Sequence, residues 1–227
     1  MQLKNISTYI CILAISLFFS ERAEAQKRKV PTVIEADTVP FFCGIAISAD
    51  AAGAIQRWVS DYGQYEAALR VNLKGRYFPI IELGIGTASH EDDVTGIHYE
   101  SSAPYGRIGC DFNVMKNKHD DYRIYVGARY AFTSFKYDLS APGVADPVWG
   151  GEAFYGGKDI SCSYHWAEGL AGVDAKIAGP IRLGWSVRYR SRISQKYGET
   201  GKPWYVPGFG KSGSSRLGAT FNIIFEL

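Results

Sequence analysis

The last eleven residues, Leu217–Leu227, alternate without interruption. Leu217, Ala219, Phe221, Ile223, Phe225 and Leu227 are apolar, and Gly218, Thr220, Asn222, Ile224 and Glu226 stand between them. A period of two places successive side chains on opposite sides of a β-strand. A tilted strand needs about 9–11 residues to cross a bilayer, and this segment has that length. Closing the chain, it is expected to be the last strand of an outer-membrane β-barrel.

The other end of the chain predicts a route to that address. Lys4 is followed by the apolar stretch Ile6–Phe19 and by Ala23-Glu24-Ala25, the small-x-small pattern of a secretory signal. A helical anchor would need about 20 apolar residues, more than this stretch supplies. Cys11 lies within the apolar stretch, which argues against a lipoprotein cleavage site. Residues 1–25 therefore read as a signal peptide, 26–40 as a polar leader carrying Lys27–Lys29, and 41–227 as the barrel.

Composition narrows the classes further. A net charge of +2, with no basic run interleaved with aromatics, argues against nucleic-acid binding. An aromatic share of 14% and 25 glycines suit a barrel with interfacial aromatic girdles and a crowded lumen. Beyond the signal, Cys43, Cys110 and Cys162 are odd in number and read as small apolar fillers, not a disulfide framework.

Alternation and turn residues predict eight strands: 44–52, 65–74, 77–87, 104–113, 122–137, 164–177, 181–190 and 217–227. Their connections alternate in length. Links at 74–76, 114–121 and 178–180 are short, whereas those near 53–64, 88–103, 138–163 and 191–215 are long. Outer-membrane barrels have short periplasmic turns and longer extracellular loops, so the expected fold is an all-β, eight-stranded antiparallel up-and-down transmembrane β-barrel.

A soluble lipocalin-like barrel, apolar inside and polar outside, is the rival architecture. The load on the two strand faces separates them. One face is almost free of charge. The other carries Asp50, Glu66, Glu82, Asp111, Glu168, Asp174 and Glu226 against Arg70, Arg107, Arg123, Arg129, Lys176, Arg182, Arg188 and Arg190. Mixed with them are Gly84, Gly86, Gly109, Gly127, Gly172, Gly184 and Gly218, which would weaken a water-facing exterior but leave room in a narrow lumen. Eight strands enclose a space that side chains fill. Glu82, Arg107, Asp111, Arg129, Glu168, Asp174, Arg182 and Arg188 are thus expected to form a lumen ion-pair network with little or no open channel.

The segments Asn72–Gly86, Gly96–Asn113, Tyr125–Asp138, Asp146–Gly151, Gly184–Ser186 and Pro203–Lys211 together resemble an uncharacterised outer-membrane β-barrel family of Bacteroidales. The resemblance implies the barrel fold and the cell outer membrane, and no activity.

Chemistry-bearing clusters are sparse. His98 with Glu100, Ser101 and Ser102 could seed a hydrolase-like set at the outer rim, but nucleophile and base must come within about 2.6–3.2 Å, which proximity in sequence does not ensure. His119 falls in a short turn. His90-Glu91-Asp92-Asp93 offers cation ligands without the spacing of a defined calcium loop and reads as a solvated tip. No catalytic residue, metal or cofactor is assigned. The aromatic loops are more suggestive: Trp149, and Trp204, Tyr205 and Phe209 in Pro203–Gly210, place large apolar area among glycines and prolines. They would face a partner, anchor in headgroups, or fold together as a lid.

The function expected is a non-enzymatic barrel, structural or accessory to a cell-envelope assembly, presenting Trp149, Trp204, Tyr205 and Phe209 to an envelope protein or lipoprotein, with outer-membrane lipid around it. An outer-leaflet lipid- or glycan-modifying enzyme and a small-solute channel are the alternatives.

Overall fold

The computed structural model describes residues 39–227 apart from 118–119, 146–149, 151, 154–155 and 199–200. The expected signal peptide, most of the expected leader, His119 and Trp149 lie outside the described residues. The elements are β1 (Phe42–Asp50), α1 (Ala51–Val59), β2 (Tyr62–Leu73), β3 (Tyr77–Glu91), β4 (His98–Asn113), β5 (Tyr122–Ser140), β6 (Gly156–Ala178), β7 (Ile181–Lys196) and β8 (Ser215–Glu226). Each strand pairs antiparallel with the next, and β8 returns to β1 to close an eight-stranded barrel. Two-residue ribbons join Val144–Ala145 to Glu152–Ala153 and Tyr205–Val206 to Gly210–Lys211.

Turn chemistry sets one end. Lys74 and Gly75 both have positive φ, 54° and 58°, and Arg76 N–H donates to the Leu73 carbonyl at 3.1 Å. This is the mirror-image two-residue turn that matches strand twist. Asn72 Oδ1 accepts from Gly75 N–H at 3.0 Å and tightens it. Leu227 pairs with Ile45 at this same end, so the short turns and the C-terminus share it. The longer connections gather at the opposite, loop end.

The packing is inverted relative to a water-soluble barrel. Ile81, Leu83, Ile85, Ile108, Val126, Phe132, Val187 and Leu217 stand exposed on the outer face. Glu82, Arg107, Asp111, Arg129, Glu168, Asp174, Arg182 and Arg188 are buried inside. Tyr77, Phe112 and Tyr122 are also exposed beside the short turns. An apolar belt of this extent marks a surface made for something other than water.

Two features differ from expectation. The strands run further at the loop end: β5 ends at Ser140, β6 starts at Gly156 and β7 ends at Lys196. There the polar residues turn outward and the apolar or aromatic ones inward, as along Ser134–Ser140, so the apolar-outward pattern no longer marks them. Ala51–Val59 is helical, where strand and loop were expected. Asp50 caps α1, accepting from Ala52 N–H at 3.1 Å and Gly53 N–H at 3.2 Å. The same Asp50 carboxylate accepts Phe221 N–H at 3.2 Å, holding the first β8 donor beyond the end of β1.

Candidate functional site

The interior has two tiers. In the lower one, Glu82 gathers three guanidinium groups: Arg188 Nη1 at 2.8 Å and Nη2 at 3.2 Å, Arg107 Nη1 at 3.1 Å and Arg129 Nε at 3.1 Å. Arg107 also pairs with Glu66 and stands 3.0 Å through Nε from Glu168. Arg129 holds Asp111 with both Nη atoms, at 2.7 and 2.9 Å. Nearer the short turns, Asp174 takes Arg182 Nε at 2.8 Å and Arg70 Nη1 at 3.3 Å. Glu226 joins Arg182 to Arg123 there.

The structure thus brings the eight sequence-selected lumen residues together and adds Glu66, Arg70 and Arg190 to them. Lys176, read onto the same face, is exposed at the end of β6. Burying charges is unfavourable unless each is paired, and here both signs interlock. Glycine makes room for the bulk: Asp111 lies over Gly127, and the Tyr105 ring over Gly84. What remains at the centre of this layer is a cavity of about 20 Å³, space for roughly one water molecule.

The upper tier is aromatic. Tyr99, Tyr105, Phe135, Tyr137, Tyr164 and Trp166 point inward from β4, β5 and β6. Into them descends the loop 203–210. Tyr205, Val206 and Phe209 are essentially inaccessible. Phe209 packs on Tyr164 and Trp166, with ring centroids 4.9 and 5.8 Å apart. Tyr205 donates through Oη to the Gly63 carbonyl at 3.2 Å and accepts Tyr99 Oη on its own carbonyl at 2.7 Å. Burial pushes the Tyr205 hydroxyl up to about 12, so it remains a donor at neutral pH.

The tip of this loop is fastened to the charge layer below. Arg107 Nη2 donates to the Gly208 carbonyl at 2.7 Å, and Arg190 Nη1 to the Phe209 carbonyl at 3.0 Å. Gly208 has φ +79°, and a side chain there would strike the Tyr105 ring. Residues 205–209 of the aromatic loop therefore lie inside the barrel and not on its outer surface. Tyr205 and Phe209 are the plug of the barrel's own mouth, because apolar rings gain more from the aromatic tier than from water. Trp204 is partly buried above them, stacked on His90 at 4.2 Å.

Among the described residues the other candidate groups stand apart or are paired elsewhere. His98 Nε2 stands 4.0 Å from Glu100 Oε2. Ser101 is buried on the opposite face of β4. His90 Nδ1 bonds Asp61 at 2.7 Å, and His165 Nδ1 bonds Tyr130 Oη at 2.8 Å. Asp92 Oδ1 accepts from Thr95 N–H, Thr95 Oγ1 and Val94 N–H at 2.8–3.0 Å, which holds its carboxyl below the usual range. Cys43, Cys110 and Cys162 are free thiols.

No curated protein matches the chain in sequence. Among solved structures it is similar to Neisserial surface protein A, with 12% identity over 81% of this chain and 94% of that one, at a TM-score of 0.36. It is also similar to Ail, the attachment invasion locus protein of Yersinia pestis, with 11% identity over 81% and 93%, at 0.37. Residues 4–226 match the family model described as Domain of unknown function (DUF6048), and the chain belongs to that family.

Proposed function

We propose that this chain is a non-enzymatic, non-conducting β-barrel of the outer membrane of a Gram-negative envelope, with a structural role or as an accessory subunit of an envelope assembly. The observation that carries the reading is the inversion itself: an apolar outer belt surrounds a lumen filled by paired charges. The signal-like N-terminus and the resemblance to a Bacteroidales barrel family support the address. The side offered to an envelope protein or lipoprotein is then the raised rim, not the aromatic loop. The 19 residues of β5 and 23 of β6 exceed the crossing length of about 9–11. Beyond Phe132 the outer face of β5 becomes Ser134, Lys136 and Asp138, all exposed, with Lys136 bonded to Asp159 of β6 at 3.2 Å.

Purified, refolded protein in planar bilayers tests the lumen. With about 20 Å³ at the level of Glu82 and a plug above it, no steady conductance of porin size is expected. Stable openings of that size would replace this reading with the channel.

A further inference from the structure

The barrel wall is complete only on the side of the short turns. β1 pairs with β8 no further than Asp50 opposite Asn222, and with β2 no further than Ala49 opposite Ala67. Above that level Tyr62–Glu66 of β2 and Ser215–Phe221 of β8 have no strand between them, and α1 occupies the interval. Its two sides are seated differently. Against β2 the contact is close at Gly63, where a methyl group would fall within the Arg57 backbone, and at Gly53, where one would lie 2.8 Å from the Gln64 carbonyl, while an opening of about 730 Å³ without basic residues lies along Ala51, Ala54, Tyr65, Ala67 and Leu83. Toward β8, no backbone hydrogen bond joins α1 to Ser215–Phe221 among the described residues. A crevice of about 590 Å³ opens there.

The crevice has two kinds of wall. Trp185, Leu217, Ala219 and Phe221 supply its outer, apolar side, with the Trp185 and Phe221 rings 4.3 Å apart. Arg190 supplies the inner side. The Arg190 side chain crosses beneath β8 at Gly218, where a methyl group would make an ordinary contact, 3.5 Å from the guanidinium carbon. Arg190 Nε lies 3.4 Å from Glu168 Oε1 without a hydrogen bond. Lys211 and Arg216 add positive charge at the crevice's edge. The one acidic group lining it, Asp50, is occupied by Ala52, Gly53 and Phe221 N–H. Because Phe221 N–H faces α1, strand alternation turns Ala219 and Leu217 backbone groups the same way, and hydrocarbon alone cannot satisfy them.

An apolar outer wall that leads to a cationic inner wall, with open backbone donors between, is complementary to one kind of molecule. We infer that the crevice between α1 and β8 binds an anionic lipid of the surrounding bilayer. Its acyl chain lies along Trp185, Leu217 and Phe221, and its headgroup enters toward Arg190, Lys211 and Arg216. The inference rests on the membrane reading above.

Native mass spectrometry of the refolded full chain, released from mixed micelles of phosphatidylglycerol and phosphatidylcholine, tests it. The wild type retains phosphatidylglycerol in preference by about tenfold, as expected of two or three cations near one headgroup. The double change Lys211→Gln/Arg216→Gln reduces retention to the phosphatidylcholine level, while heat-modifiable gel mobility stays that of a folded barrel. Equal retention of both lipids by the wild type, or undiminished phosphatidylglycerol on the folded double variant, overturns the lipid site and leaves the barrel reading standing. Failure of the wild type to insert into any bilayer would instead remove the membrane reading and the lipid site with it.

Discussion

Glu82 sets the energetics of the lumen at the residue scale. Three guanidinium groups converge on one buried carboxylate, so removing it leaves positive charge facing positive charge in a space with room for about one water molecule. Loss of one partner from a buried ion network costs on the order of 3–5 kcal/mol. Glu82→Ala is therefore expected to lower the urea midpoint of the refolded barrel sharply, and Glu82→Gln, which keeps the shape and one of the two acceptor oxygens, less so. An unchanged midpoint in Glu82→Ala would show that the network adds nothing to stability. That these charges share a face was legible from alternation, because strand periodicity is local. Their partners were not. Arg129 stands opposite Glu168 in the ladder yet bonds Asp111 and Glu82, and Arg188 reaches Glu82 across the bore from a strand that is not its neighbour.

The element that sequence reasoning missed is α1. Its signal was present: Asp50 is a favoured N-cap residue, Ala51, Ala52 and Ala54 follow it, and Ile55, Trp58 and Val59 recur at helical spacing. Alternation through Ile45, Ile47 and Ala49 concealed it, because Asp50 ends the strand and caps the helix at once. The plug is a second such case. The aromatic residues of 203–210 advertise apolar area that needs cover, but the acceptors of Arg107 and Arg190 that fix the tip inside belong to contacts far apart in sequence. Gly63 tests how α1 is held. Gly63→Val places methyl groups against the Arg57 backbone, so amide exchange within Ala52–Val59 is expected to accelerate while the β4–β7 ladders keep their protection. Uniform loss of protection, or none, would mean that α1 is not seated through this contact.

At the scale of the molecule, eight strands sort the sequence into two solvents. Seven acidic side chains, Asp50, Glu66, Glu82, Asp111, Glu168, Asp174 and Glu226, and seven arginines, Arg70, Arg107, Arg123, Arg129, Arg182, Arg188 and Arg190, line the bore among the described residues. Apolar side chains cover the outside. Two tryptophans report the two environments: Trp185 is 59% exposed on the outer belt, and Trp166 is 0% exposed beside Glu168 in the lumen. Single-tryptophan variants keeping one or the other, refolded into vesicles of lipids brominated along the acyl chain, measure contact with hydrocarbon directly. Strong quenching of Trp185 and little quenching of Trp166 is the result predicted; equal quenching of the two, or stronger quenching of Trp166, would contradict an outward-facing apolar belt around a charged interior.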